Sequence, residues 1–462
     1  MRTISSPISA YMQAGKRVHL SGIGGVSMCP LARVLRSMGL LVQGSDMNES
    51  DNVRQLRELG IPVFHGHAAD QVGECDFVVR TAAVRDNNPE IAGAIARGIP
   101  VFERAQAWGA IMAQYPNALC IAGTHGKTTT TSMATHILMQ AQRDPTVMIG
   151  GTLPLLGAGY RVGEGDTIVL ESCEYCNSFL YFSPTVAVIL NIEEDHLDFF
   201  KDLADIQRSF RKFAELVPDD GCVIVNADDA NTMQAMEHWT GRLLRFGLSE
   251  EAECRAQNIR WHNGCAAFEI WVRGRLYTDV TLSVAGRHNI LNALAASAAA
   301  YVLGIDGEAV RAGLESFHGA GRRFEYKGSY HGADIYDDYA HHPAELRALL
   351  STARTLGYRR ILCAFQPHTY TRTAALFAEF VQELKRADRV VLAEIYAARE
   401  ENLSGISSAD LAKEIPHALY CATLAKTAEA LRTLAQEGDL ILTVGAGDIY
   451  RVGEMLTGEG EA

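Results

Sequence analysis

The segment CIAGTHGKTTTTSM, residues 120–133, sets Gly123, Gly126 and Lys127 ahead of four consecutive threonines. Between a strand and a helix, such glycines let the backbone curl so that successive N–H groups point at a phosphate, and the helix N-terminus adds partial positive charge. Lys127 then carries a mobile cation to the β and γ phosphates of a nucleotide, and the Thr128 hydroxyl can take a Mg²⁺ position. Where a standard P-loop opens with glycine this chain has Ile121. The turn therefore needs partners from neighbouring strand ends.

Acidic partners are available. The stretch DTIVLESCEYCNSF delivers Glu171 and Glu174 just past one strand, and VAVILNIEEDHLDFF delivers Glu194, Asp195, His196 and Asp198 past another. Oxygen ligands converging on one sheet edge suit Mg²⁺. A second glycine cluster, HLSGIGGVSM, has Gly22, Gly24 and Gly25 after the first strand, with Ser27 where a dinucleotide fingerprint has its third glycine. Ser45 and Asp46 end the next strand, where an acid can grip a ribose hydroxyl. NAD and another diphosphate-bearing ligand both suit this pattern. Further on, YDDYAHHP groups Asp337, Asp338, His341 and His342, and FQPHTYTRT adds His368, Tyr370 and Arg372. Paired histidines beside acids read as a metal site, a catalytic base or a capped helix with Pro343 in its first turn. Arg322 and Arg323 of GRRFE reach a phosphate or pair with surface acids.

The elements that must position these residues follow an α/β rhythm. The first hundred residues alternate compact apolar strands with short helices at 27–38 and 52–59, the pattern of a parallel, doubly wound sheet. A second unit starts near Trp108 with the strand NALCIAG and a helix over 128–140, and residues 242–284 read as shorter, more antiparallel strands. An alanine-rich helix over 289–302 closes at Gly304. From about residue 321, ADIYDDYA, RRILCAFQ, RVVLAEIY and DLILTVGAG mark strands separated by helices over 343–356 and 374–386.

Composition sets the class. A chain of 462 residues suggests about three domains, and 48% apolar with 21% charged residues is globular. The net charge of −13 argues against a general attraction to nucleic acid, so any anion must be captured locally. The absence of an apolar run of about 18 residues, and a start without a secretion signal, predict a cytoplasmic protein with no stable membrane association. Ten scattered cysteines then read as reduced thiols, with Cys173 and Cys176 packed or lining a substrate.

Taken together, HLSGIGGVSM, GTHGKTTTT, ESCEYCNSFL, NIEEDHLDFF, GRHNILNALAA, GRRFE, YDDYAHHP and FQPHTYTRT occur in an order that resembles the Mur ligases, ATP-dependent amide-bond-forming enzymes of bacterial cell-wall synthesis. The resemblance implies a Rossmann-like domain over 1–107 for a UDP-sugar, a P-loop-type ATPase domain over 108–320, and a Rossmann-like domain over 321–462 that closes over both. It implies UDP-N-acetylmuramate, L-alanine, ATP and Mg²⁺ as ligands, or a preformed tripeptide in place of alanine. By the same resemblance Gly22, Gly24, Gly25, Ser45 and Asp46 contact the sugar nucleotide. Gly123, Thr124, His125, Gly126, Lys127, Thr128 and Thr129 hold ATP phosphates, while Thr128, Glu174 and His196 hold Mg²⁺. His288, Asn289 and Asn292 surround the adenine, completed by Arg323 and Asp338. Tyr339, His341 and Arg372 lie near the incoming amino acid, and Lys127, Glu174, His196, His341 and Arg372 serve catalysis. The chain departs from the family pattern at Cys173 and Cys176, at Arg211 and Lys212 where sister ligases carry a modified lysine, and at Thr369.

Overall fold

Strands such as VAVI, LILTV and ILCAF are buried along their whole length. Continuous aliphatic runs of this kind belong to parallel sheets covered on both faces by helices. The computed structural model bears this out; it describes residues 7–458 other than Ala82, Asp198 and Arg399, so the expectation for Asp198 lies outside the described residues.

The first sheet is all parallel, with order β3-β2-β1-β4-β5. Its strands are β1 (Arg17–Ser21), β2 (Leu41–Asp46), β3 (Val63–His65), β4 (Phe77–Arg80) and β5 (Val101–Glu103), joined by α1 (Met28–Ser37), α2 (Asp51–Glu58) and α3 (Pro89–Ala96). Helix α4 (Arg104–Met112) leads out of it. Residues 107 and 108 lie inside that helix, and Trp108 shares one apolar cluster with Phe77 of the first sheet and Phe179 and Phe213 of the next unit. The first two units thus share a continuous core.

The second sheet has ten strands, in the order β15-β14-β13-β12-β11-β10-β6-β9-β7-β8. They are β6 (Asn117–Ala122), β7 (Thr146–Leu153), β8 (Ala158–Arg161), β9 (Thr167–Glu171), β10 (Val186–Ile189), β11 (Cys222–Asn226), β12 (Leu243–Gly247), β13 (Cys254–His262), β14 (Cys265–Val272) and β15 (Arg275–Ala285). Helices α5 (Lys127–Gln140), α8 (His288–Val302) and α9 (Gly307–Glu315) cover one face. On the other lie α6 (Leu203–Ala214) and α7 (Ala230–Ala235). The expectation of shorter strands over 242–284 is corrected: β12 is parallel, and β13 to β15 form long antiparallel ribbons whose alternating burial leaves one face to solvent.

The third sheet has the order β16-β17-β21-β18-β19-β20, antiparallel only at β16. It comprises β16 (Glu325–Tyr330), β17 (Ala333–Asp338), β18 (Ile361–Phe365), β19 (Arg389–Ala393), β20 (Leu419–Cys421) and β21 (Leu440–Val444). Its helices are α10 (Pro343–Arg354), α11 (Tyr370–Ala375), α12 (Phe377–Leu384), α13 (Ser408–Glu414), α14 (Leu424–Leu434) and α15 (Tyr450–Thr457). The single helix expected over 374–386 is instead two, broken at Leu376 (φ −110°, ψ 27°).

Candidate active site

The glycine turn sits between β6 and α5, at the carboxyl edge of the second sheet where β6 and β10 adjoin. Gly126 adopts φ +83°, and a Cβ there would come 2.6 Å from Asn292 Oδ1, so both backbone shape and space require glycine. No side chain caps α5. Its first N–H groups are therefore available to an anion. Asn191 clamps the turn from β10, accepting from the His125 N–H through Oδ1 (2.8 Å) and donating from Nδ2 to its carbonyl (3.1 Å). Thr124 Oγ1 accepts from the Glu193 N–H at 2.9 Å.

Lys127 Nζ donates to the Gly123 carbonyl (2.5 Å), the Thr124 carbonyl (3.1 Å) and Glu174 Oε2 (3.1 Å). Burial works against its charge, but Glu174 together with Cys173 and Glu171 outweighs that and holds the ammonium above its ordinary pKa. Glu174 also faces His196 Nε2 at 3.9 Å. His196 takes φ +54°, a conformation that a non-glycine residue adopts only under constraint, with its ring 4.7 Å from that of Tyr175. Thr128 Oγ1 donates to Glu171 Oε1 at 3.1 Å. A carboxylate pair, a hydroxyl and an imidazole next to an uncapped helix end match the donor set of a hard divalent ion bound with a phosphate. The residues fit both groups.

A cavity of about 650 Å³ opens between the second and third units, and His125, Gly126, Thr129, His288, Asn289, Asn292, Arg323 and Asp338 all line it. Burial, then Arg323, hold His288 down at about 4, a neutral ring. Asn289 donates to the Ala285 carbonyl at 2.7 Å and accepts from Asn292 Nδ2 at 3.1 Å. Asp338 accepts from the Phe324 and Ala340 N–H groups, both at 2.8 Å, while burial pushes its carboxyl up to about 6. The two arginines of GRRFE diverge. Arg322 bonds Asp337 (2.8 Å) and the Gly445 carbonyl (2.6 Å), which leaves Arg323 to the cavity. The Tyr339 ring lies between them, 5.0 and 5.2 Å from their guanidinium carbons.

A smaller cavity of about 180 Å³ lies between His196 and Arg372, walled by Asp195, Leu197, Thr369 and Leu376. Arg372 donates to Asp195 Oδ1 from Nη2 (2.8 Å) and Nε (3.1 Å). Its charge is thus matched across the seam while the side chain still lines the cavity. His341 Nδ1 donates to the Tyr339 carbonyl at 3.0 Å, and burial holds its ring down at about 4, so it is neutral with Nε2 open.

At the first glycine cluster, Ser45 and Asp46 are both engaged within the fold. Ser45 is fully buried and its hydroxyl donates to Glu90 Oε2 at 2.8 Å, so it braces strand ends. Asp46 accepts from the Gly24 N–H at 2.9 Å and the Asn48 N–H at 3.0 Å, so it holds the turn in shape. Gly22 itself needs glycine, with φ +80° and a Cβ position 2.8 Å from Thr81. Between this unit and the next, Arg80, Arg104, Cys176 and Ser178 line a cavity of about 380 Å³. Asn191, Glu193 and Glu345 also shape the site without having been singled out by residue type. Asn191 and Glu193 lie inside the NIEEDHLDFF stretch, and Glu345 left a signal in the His-Pro-Ala-Glu capping box at the start of α10.

Comparison with known proteins follows the same three-part division. The model described as "Mur ligase family, catalytic domain" matches residues 17–116, "Mur ligase middle domain" 121–300, and "Mur ligase, glutamate ligase domain" 322–447. A UDP-N-acetylmuramate–L-alanine ligase of Caldanaerobacter subterraneus subsp. tengcongensis is 44% identical over 95% of this chain and 96% of its own. The crystal structure of the UDP-N-acetylmuramate–alanine ligase of Thermotoga maritima superposes with a TM-score of 0.80 at 31% identity, covering 96% of this chain and 98% of that one. A murein peptide ligase of Psychrobacter arcticus gives a TM-score of 0.73 at 25% identity, covering 97% and 99%.

Proposed function

Because this chain belongs to the Mur ligase family, we propose that it joins L-alanine to the lactyl carboxylate of UDP-N-acetylmuramate at the expense of ATP, a step of peptidoglycan precursor synthesis in the cytoplasm. The observation that carries this reading is the uncapped, glycine-led start of α5 with Lys127 beside it, at the mouth of a cavity large enough for a nucleotide. Near full-length likeness to alanine ligases, at higher identity than to the murein peptide ligase, supports alanine over a preformed peptide.

The chemistry runs in two displacements. A carboxylate oxygen of the sugar acid attacks the γ-phosphorus of ATP, the bond to the β-phosphate oxygen breaks, and ADP leaves. The amine of alanine then adds to the acyl phosphate, and the tetrahedral adduct expels inorganic phosphate as the nitrogen loses its proton. Lys127 and the α5 N–H groups face the charge carried by the phosphoryl oxygens, a matter of position and electrostatics. Thr128, Glu174 and His196, with Glu171 behind Thr128, would hold Mg²⁺, which when bound neutralises phosphate charge. The 180 Å³ cavity between His196 and Arg372 suits an amino acid with a small side chain. Arg372 would orient its carboxylate while staying paired to Asp195.

A phosphate-release panel that varies sugar nucleotide and amino acid independently tests the proposal. ADP and phosphate should form only with UDP-N-acetylmuramate, L-alanine and Mg²⁺ together. Faster turnover with a tripeptide than with alanine, or tight NADH binding at the first glycine cluster, would overturn it.

A further inference from the structure

His125 lies in the glycine turn where the second and third units meet. Its Nδ1 is 3.3 Å from Glu345 Oε1 of α10. Its Nε2 is buried and makes no hydrogen bond, with Glu193 Oε2 the facing carboxylate oxygen at 3.5 Å. The ring of His342 stands 4.8 Å away across the seam. One ligating atom from each of His125, Glu193 and His342 lies within 4.8 Å of the others. We propose that these three side chains form a site for a borderline transition-metal ion of the Zn²⁺ class, separate from Thr128, Glu174 and His196.

The donor set decides the ion. Mg²⁺ takes oxygen ligands and keeps its water, whereas two imidazoles with one carboxylate suit Zn²⁺, Co²⁺ or Ni²⁺. Glu345 holds His125 by Nδ1, which leaves Nε2 as the ligating atom; a carboxylate behind a metal-bound histidine is the usual way such a ring is oriented. Burial keeps the His342 imidazole below its ordinary pKa and so neutral, as a ligand must be. At His125 burial also works against charge, but the carboxylates of Glu193 and Glu345 hold the ring up at about 9, so the ion binds by displacing the proton His125 carries between them. His342 enters by giving up one of two bonds: Nε2–H to the Glu194 carbonyl (3.1 Å), or Nδ1 as acceptor for the Ala344 N–H (3.3 Å). Zn–N bonds of about 2.0 Å require the donors to draw in by about an ångström. His342 comes from the third unit and the other two from the second, so the ion would tie the units together. This inference does not depend on the substrate assignment.

Zn²⁺ titrated calorimetrically into the full-length, nucleotide-free protein in excess Mg²⁺ tests it. The expected result is one Zn²⁺ per chain, weakened about tenfold or more in His342→Asn and in Glu193→Gln, with Zn²⁺ raising the melting temperature of the unsubstituted protein alone. Asparagine keeps a cap for Ala344, and melting without Zn²⁺ reports whether each variant is folded. Co²⁺ supplies a second readout, because imidazole and carboxylate give d–d bands without thiolate charge transfer. No binding above the Mg²⁺ background would overturn the proposal. Equal binding by the protein and both variants would also overturn it, placing the ion at the exposed thiols Cys173 and Cys176.

Discussion

At the scale of single residues, charge is managed by burial against a partner. Lys127 and Glu174 are 15% and 3% exposed, and neither meets another full opposite charge at shorter range. Lys127→Ala should lower turnover by about 10²–10³-fold, the cost of losing one preorganised cation at a developing oxyanion. It should also destabilise the fold by about 3 kcal/mol, since Glu174 is left buried and unpaired. Phosphate release and thermal melting check the two effects separately. Glu90 is a second case. It accepts from the Ser21 hydroxyl at 2.6 Å and from Ser45, and faces His19 at 3.0 Å and His67 at 2.9 Å. Burial opposes ionisation, but His19 and the two hydroxyls win and bring its carboxyl down to about 2. A folded pKa below the unfolded one stabilises the fold above about pH 4.5 and loses that contribution as pH falls toward 2. Glu90→Gln should therefore flatten the decline of melting temperature between pH 5 and 3; an unchanged slope would refute the assignment.

At the scale of elements, close backbone approach decides more than side-chain chemistry. A Cβ on Gly109 of α4 would fall 1.9 Å from the Tyr181 carbonyl, at the end of the 3₁₀ segment Tyr175–Tyr181 that follows Glu174. Gly109→Ala should push α4 off that segment and cost about 1–3 kcal/mol by overpacking. It should also raise the KM for the sugar acid more than that for ATP, because the displaced segment borders the first unit. The glycine turn, Lys127 and the strand ends carrying Glu174 and His196 were legible in the sequence, because apolar runs and glycines mark them locally. Other features were not. The three-residue β5 is too short to show a period, and the break at Leu376 is hidden by an apolar pattern that continues through Phe377, Phe380 and Leu384. That break separates two tasks: α11 carries Arg372 to Asp195, and α12 buries Phe380 and Leu384 in the third core. The bonds Ser45 and Asp46 make within the fold were not legible either, because a hydroxyl or carboxylate at a strand end reads alike whether it meets a ligand or its own chain.

At the scale of the whole molecule, polar contacts between the second and third units cluster around the site among the described residues. Arg372 and Asp195 are 10% and 7% exposed. Burial alone would raise the Asp195 carboxyl, and Arg372 with His196 and His341 overrides it, holding it far below its usual range. The His342 bond to the Glu194 carbonyl and the His125–Glu345 pair lie alongside. Asp195→Asn would leave Arg372 buried without its charge partner, a cost of about 3–5 kcal/mol, and because the pair spans the seam the cost falls on docking before either core. The third unit should then melt at a lower temperature than the rest, and the nucleotide-free protein should show a larger radius of gyration in solution scattering. A loosened seam also admits water to an acyl phosphate that closure otherwise shields. Phosphate released should accordingly exceed amide formed in Asp195→Asn, while the two stay equal in the unsubstituted protein. Equal yields in the variant, together with an unchanged radius of gyration, would mean that the seam is held by other contacts and that this pair has no part in keeping water out.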